Sequence, residues 1–207
     1  MAEASVEPVY KHVVLRGKPG IGKTTLIMNV YKMLVNEGIP CQGFVTEEVR
    51  QNGVRSGFDI VTLDGLKGPL ARVSEETVGH SYKREYKVGK YSVDVTSLEQ
   101  IALPSLHVQN LRAYPIFIID EIGKMESFSQ SFLHVVQQLF QLEGVTILAT
   151  VPIIQGRPHR FVDELTQRKD TKLFYVSRDN RESLVQEVCE TLYMARNMAM
   201  ETVTFAS

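Results

Sequence analysis

Gly17-Lys18-Pro19-Gly20-Ile21-Gly22-Lys23-Thr24 follows, at every position, the phosphate-loop pattern GxxxxGK with a closing hydroxyl residue. Glycines at these spacings let the backbone curl so that successive amide protons converge on one concavity, which a β-phosphate fills. A helix opening near Lys23 adds the positive end of its dipole at the same spot. Lys23 can reach the β- and γ-phosphates, and the Thr24 hydroxyl is a magnesium ligand by type. The flanks agree with the loop. Val13-Val14-Leu15 is a short apolar run bounded by glycine, as a buried parallel strand would be. Leu26, Ile27, Val30, Tyr31 and Leu34 recur at helical spacing, and Asn36-Glu37-Gly38 stops that helix with a glycine. A chance glycine-rich turn has no reason to sit in that frame.

Working outward, Gly43 to Val49 reads as a second strand and about Val54 to Leu63 as its return. Asn52-Gly53 between them is a two-residue hairpin turn, because both positions accept positive φ, and Asp64-Gly65 is a second such pair. Residues 66–95 alternate at Tyr86, Val88, Tyr91, Val93 and Val95 and read as extra antiparallel strands at the sheet edge. Thr96 or Ser97 is placed to cap a helix carrying Leu98, Ile101, Ala102 and Leu106, with Pro104 inside it. The second half alternates more plainly. Ile116–Ile119, Val145–Val151 and Leu173–Val176 read as strands, and Phe128–Leu142, Phe161–Arg168 and Arg181–Met194 as helices. Apolar strands alternating with helices predict an α/β three-layer fold: a mostly parallel sheet covered on both faces, with antiparallel strands added at the edge.

The second chemical element is Ile116-Phe117-Ile118-Ile119-Asp120-Glu121. Four apolar residues bury the strand, and its carboxyl end delivers two acids to the rim where such sheets bind ligands. Asp120 is placed to hold magnesium, directly or through water. Glu121 is placed to orient and deprotonate an attacking water. Two acids ending a strand usually mark a solvated loop; an upstream phosphate loop gives them a role.

Composition narrows the partners. In 207 residues, 23 basic and 24 acidic side chains leave a formal charge of −1, which provides no field for a nucleic-acid backbone. No apolar run reaches the roughly 18 residues of a membrane helix, and the polar opening is unlike a signal peptide. Cys41 and Cys189 form no CxxC pair, and the five histidines show no metal-ligand spacing. These features predict a reduced, cytoplasmic protein. Balanced charge and the absence of coiled-coil heptads favour a monomer. Residues 1–9 read as a disordered tail, 10–195 as a single domain and 196–207 as a C-terminal tail.

Gly17 to Thr25, Gly43 to Arg50, Gly57-Phe58-Asp59-Ile60-Val61 and Asp120-Glu121-Ile122-Gly123-Lys124-Met125-Glu126 together resemble the small nucleoside triphosphatase family first described from thermophiles. The likeness covers about residues 10 to 195 and is far more specific than the loop alone. It implies a RecA-like phosphate-loop fold and magnesium-dependent hydrolysis of several triphosphates (ATP, GTP, CTP, UTP, TTP), with diphosphates attacked more weakly. It also implies that Gly17 through Thr24 bind phosphate and that Ile116 through Gly123, hence Asp120, Glu121, Ile122 and Gly123, form the second nucleotide segment. Lys18 stands where a small or apolar residue is more usual, and its side chain is free to point to solvent.

Positive charge against the γ-phosphate is needed as charge redistributes in the transition state. Lys124, Arg50 and Arg55 lie in the family-like blocks and compete for that role with ordinary surface solvation. Thr150, after the next strand's apolar run, either senses the γ-phosphate or caps that strand. Two other functions use the same loop. A small-molecule or nucleotide kinase needs an acceptor pocket and a basic lid, for which Gly156-Arg157-Pro158-His159-Arg160 is the candidate. A nucleotide-dependent binding switch specific for guanine carries an NKxD-like motif, and Gln167-Arg168-Lys169-Asp170 lacks its asparagine.

Overall fold

The computed structural model describes residues 10–74, 86–108, 113–153 and 159–204. Along the chain they form β1 (His12–Gly17), α1 (Lys23–Asn36), β2 (Cys41–Gln51), β3 (Val54–Thr62), β4 (Lys67–Val73), β5 (Lys87–Val88), β6 (Tyr91–Val93) and α2 (Val95–Ser105). After these come β7 (Ile116–Ile119), α3 (Gln130–Leu139), β8 (Thr146–Pro152), α4 (Arg160–Thr166), β9 (Thr171–Tyr175) and α5 (Leu184–Thr204). The strands join in one sheet of order β5-β6-β4-β3-β2-β7-β8-β1-β9.

β7 shows why its sequence is apolar throughout. Phe117 and Ile119 face a core completed by Leu98 and Ala102 of α2, Phe132 and Val136 of α3 and Val162 of α4. Ile116 and Ile118 face the opposite core, with Leu26, Ile27 and Val30 of α1 and Val188 and Leu192 of α5. All four strand residues are fully buried, so alternate side chains leave the sheet into two separate apolar layers. That is the three-layer α/β arrangement. β1 is covered in the same way, and His12 at its start is buried edge-on against Phe140, with ring centroids 4.8 Å apart.

The sheet is more evenly mixed than the sequence suggests. β2-β7, β7-β8, β8-β1 and β1-β9 are parallel, whereas β2-β3, β3-β4, β4-β6 and β6-β5 are antiparallel. The Asn52-Gly53 hairpin has the expected positive φ at both positions, 51° and 78°. Several boundaries differ for local reasons. α2 is capped by Asp94, whose side chain accepts from Ser97 N at 2.9 Å. A cap must precede the first helical residue and reach forward to the third, so Thr96 and Ser97 fall inside the first turn. Pro104 sits in the last turn, where its missing amide forgoes one bond only. α3 starts after Ser129, which accepts from Phe132 N at 2.9 Å, while Phe128 ends a separate 3-10 turn. α5 starts at Leu184 and runs past Met194 to Thr204. Among the described residues no helix is long and apolar enough to cross a membrane.

Candidate active site

β1, β7, β8 and β9 run parallel and release their chains at one edge of the sheet: Gly17 pairs with Pro152, Ile119 with Ala149, and Arg16 with Tyr175. The glycine-rich loop leaves β1 at that edge and enters α1 at Lys23. Gly22 makes the entry. Its φ of 108° lies where side-chain-bearing residues are strained, and it caps α1 without a side chain. Its carbonyl takes the first helical bond from Leu26 N at 2.9 Å. Lys18, Pro19 and Gly20 are exposed, Ile21 and Gly22 half-buried and Gly17 buried. Lys18 therefore faces solvent, as expected for a residue whose backbone, not side chain, shapes the loop. Lys23 is only 6% exposed and folds back over the loop, donating to Gly17 O at 3.1 Å.

Lys23 and Thr24 meet the two acids at the end of β7. Lys23 Nζ lies 2.9 Å from Glu121 Oε2. Thr24 donates from Oγ1 to Asp120 Oδ2 at 2.6 Å, and Thr150 donates from Oγ1 to Asp120 Oδ1 at 2.5 Å. Asp120 is 1% exposed, and burial raises its pKa against the opposing hydrogen bonds from Thr150 and Thr24 and the charge of Lys23. Burial likewise raises the Glu121 carboxyl, with Lys23 pulling the other way. Thr150 lies inside β8 rather than at its end, and its carbonyl accepts from Ile122 N at 2.9 Å. It thus ties the loop after β7 to the neighbouring strand while holding Asp120.

Behind Glu121 stands a third acid. Glu126 is 4% exposed and accepts from Gly123 N at 3.0 Å, while Ser127 Oγ donates to Gly123 O at 2.5 Å. A Cβ on Gly123 would come within 2.9 Å of Glu121 Oε1 and 3.1 Å of Glu126 Oε2, so a side chain there would make both carboxyl ends shift. Burial pushes the Glu126 carboxyl up to about 8, and the nearby Glu121 charge adds to that.

The paired oxygens of Thr24 and Asp120 suit magnesium, a hard cation that takes few protein ligands and completes its shell with water and phosphate oxygens. Among the described residues no group of three or more His, Cys, Asp and Glu side chains is arranged to hold a metal unaided.

The structure thus gathers Gly17 through Thr24, Asp120, Glu121, Ile122 and Gly123 at one edge. Among the described residues, none of the three basic candidates pairs with a side chain at that edge. Arg50 and Arg55 both pair with Glu48 on the β2–β3 hairpin, the first at 2.5 Å and the second from Nε at 2.6 Å. Lys124 is exposed and lines a cavity of about 410 Å³ with Lys87, Ser127, Phe128 and His159. Of the candidate lid, residues 156–158 lie outside the described residues; His159 caps α4 and Arg160 pairs with Glu164 in that helix.

A family model described as NTPase matches residues 12–189. The chain belongs to this NTPase family. The human cancer-related nucleoside-triphosphatase is 47% identical over 90% of this chain and 98% of its own length. The nucleoside-triphosphatase THEP1 of Thermotoga maritima is 38% identical over 89% of this chain and 97% of its own length. Among solved structures, the solution structure of a human cancer-related nucleoside triphosphatase matches with a TM-score of 0.75 at 47% identity, covering 87% of this chain and 96% of that one. The crystal structure of THEP1 from Aquifex aeolicus matches with a TM-score of 0.72 at 33% identity, covering 87% and 98%. The mixed α/β sheet is therefore that of the NTPase family.

Two residues beside the loop carried no assigned role in the sequence reading. Glu126 stood in a family-like block, but an acid three residues from a glycine signals nothing until its burial is seen. Arg181 stood at the start of the predicted helix Arg181–Met194, and its approach to Gly22 is a tertiary fact.

Proposed function

We propose that this protein hydrolyses the terminal anhydride bond of nucleoside triphosphates, with broad base tolerance, weaker action on diphosphates and dependence on magnesium. The observation that carries the reading is the Lys23–Glu121 pair at 2.9 Å beside the Thr24–Asp120 pair at 2.6 Å, both at the mouth of the phosphate loop. A phosphate-binding cation, a metal-ligand pair and a base occupy one edge in that order.

The loop amides and the α1 terminus hold the β-phosphate. Lys23 binds the γ-phosphate, and in turning to it loosens its hold on Glu121. Glu121, made more basic by burial, accepts the proton of a water whose oxygen bonds to the γ-phosphorus. The bond from that phosphorus to the bridging oxygen breaks, and the diphosphate leaves with the electron pair. Thr24 and Asp120 would hold magnesium, which would supply charge neutralisation on the phosphate oxygens. Thr150 and Glu126 keep Asp120 and the Glu121 loop in place. The phosphate-directed groups are complete while no base-reading motif is visible, which supports broad base tolerance.

The test is phosphate release from ATP, GTP, CTP and UTP with no acceptor present, with and without magnesium. Comparable release from all four is expected. Release only on adding an acceptor would make the protein a kinase, and a preference above about a hundredfold for one base would reveal a dedicated base pocket.

A further inference from the structure

The sheet order gives the site a direction. β8 and β7 lie on one side of β1, and β9 lies on the other. Asp120 and Glu121 end β7 and reach Thr24 and Lys23 from that first side. A triphosphate whose β-phosphate fills the loop therefore turns its γ end toward β7. Its nucleoside end turns toward β9.

On the β9 side the chain places a cation. β9 runs parallel to β1, so residues 177–183 emerge at the same edge as the phosphate loop. Asn180 pins this connection: it accepts from Ser177 N at 2.8 Å, donates from Nδ2 to Tyr175 O at 2.9 Å, and its carbonyl receives Leu184 N at 2.9 Å. The next residue, Arg181, leans back onto the loop. Its Nη1 donates to Ile21 O at 3.4 Å, and a Cβ on Gly22 would lie 3.1 Å from its Cδ and 3.2 Å from Nη1. The side chain is half-buried, and no carboxylate among the described residues pairs with it. A guanidinium resting its Cδ–Nη1 edge against a glycine, with only a long bond to one carbonyl, has donors and a π-face to spare.

We propose that Arg181 is the nucleoside-side contact of the site, its guanidinium plane stacking on the nucleobase beside Gly22. The inference rests on the hydrolase reading for the ligand and explains its base tolerance. Every base has a π-face, and a planar cation stacks on each without reading its edge. Lysine substitutes poorly, since its strongly hydrated ammonium is a point charge with no plane to stack. A second way to use the same cation is a contact to the α-phosphate, which lysine would preserve. The two are separable by ligand and by variant.

Calorimetry would measure Kd for the β,γ-imido analogues of ATP and GTP and for inorganic tripolyphosphate, on the wild type, Arg181→Ala and Arg181→Lys. Stacking predicts that Arg181→Ala weakens both nucleotide analogues by about five- to a hundredfold, to a similar degree, and leaves tripolyphosphate within about twofold. Arg181→Lys is expected to remain weak for the nucleotides. Unchanged nucleotide Kd in Arg181→Ala overturns the proposal. So does a parallel loss for tripolyphosphate, or full rescue by lysine, either of which assigns Arg181 to phosphate. Because binding is read without turnover, the outcome is independent of hydrolysis. Failure of the wild type to release phosphate from any triphosphate sinks the hydrolase reading alone.

Discussion

Lys23 and Arg55 are both cations at hydrogen-bonding distance from a glutamate, in two regions of one sheet. Lys23 meets Glu121 at the carboxyl edge of the parallel half, where the lysine side chain is 6% exposed and the glutamate 27%. Arg55 meets Glu48 on the antiparallel hairpin, where the arginine is 41% exposed. Arg55 shares that glutamate with Arg50, and the two guanidinium groups hold the Glu48 carboxyl below its usual range, first through the hydrogen bond from Arg55. Water solvates the hairpin pair whether or not it forms, so it contributes little. At the loop, desolvation raises the pKa of Asp120, Glu121 and Glu126 alike. Three neighbouring acids with raised pKa, two of them beside one buried lysine, are a poor arrangement for stability and a good one for receiving phosphate and a proton. Distance alone does not distinguish a structural ion pair from a functional one. Burial and the company it keeps do.

The largest break in that comparison is Lys23→Ala. The phosphates lose their nearest buried charge, so kcat/KM is expected to fall by about a hundred- to a thousandfold or more, with nucleotide binding weakened as well. Steady-state phosphate release checks it, and wild-type turnover would mean that the loop is not the active site. Next comes Glu121→Gln, which keeps shape and hydrogen bonding but removes the base. A fall in kcat of about a hundred- to ten-thousandfold is expected, with analogue binding retained. Asp120→Asn should lose rate together with magnesium affinity, a difference that magnesium titrations at fixed nucleotide would reveal.

How much of this could be read from the sequence depends on how local each feature is. The phosphate loop is eight consecutive residues whose spacing is its geometry, so Gly22 and Lys23 were legible at once. Asp120 and Glu121 were legible because an apolar strand can end in only one place. For two of the three basic candidates the sequence also held a local reading. A two-residue turn at Asn52-Gly53 puts Arg50 opposite Arg55, and two facing cations need an anion, which Glu48 on the same face supplies. Followed through, that register pairs both arginines with Glu48. Thr150 was legible only as one of two alternatives, and Glu126 and Arg181 carried no signal, since the bond of Thr150 to Asp120 spans 30 residues, that of Arg181 to Ile21 spans 160, and the short link of Glu126 to Gly123 matters only through its burial. Only the folded sheet makes those neighbours.

Glu126 sharpens the comparison through pH. Its folded carboxyl titrates near 8 against an ordinary value of 4.5, so between these values the folded state holds a proton that the unfolded chain has released. Stability from this group is full below about 4.5 and falls as pH rises toward 8, by about 1.4 kcal/mol per pH unit at most. Glu126→Gln keeps an acceptor for Gly123 N–H without the titration. Denaturant midpoints between pH 5 and 8 should slope downward less in the variant than in the wild type. Equal slopes would mean that Glu126 is ionised in the fold.

The smallest effect is expected on the hairpin. Arg50→Ala and Arg55→Ala each remove one partner of an exposed glutamate that keeps the other, so stability should change by less than about 1 kcal/mol. Such a change should shrink further at 1 M salt, where the Debye length is about 3 Å. Turnover should stay within about twofold for either variant, because both side chains are committed to Glu48 rather than to Lys23 or Glu121. The double variant is the stricter case. It strips Glu48 of both cations and frees it to return to an ordinary carboxylate pKa, yet leaves Asp120, Glu121 and the loop untouched. A tenfold loss of kcat in the double variant, with magnesium and nucleotide saturating, would show that the hairpin bends over the site during turnover and delivers an arginine to the γ-phosphate. The distinction between buried, working charge and exposed, idle charge would then fail at the hairpin, where it is drawn most sharply.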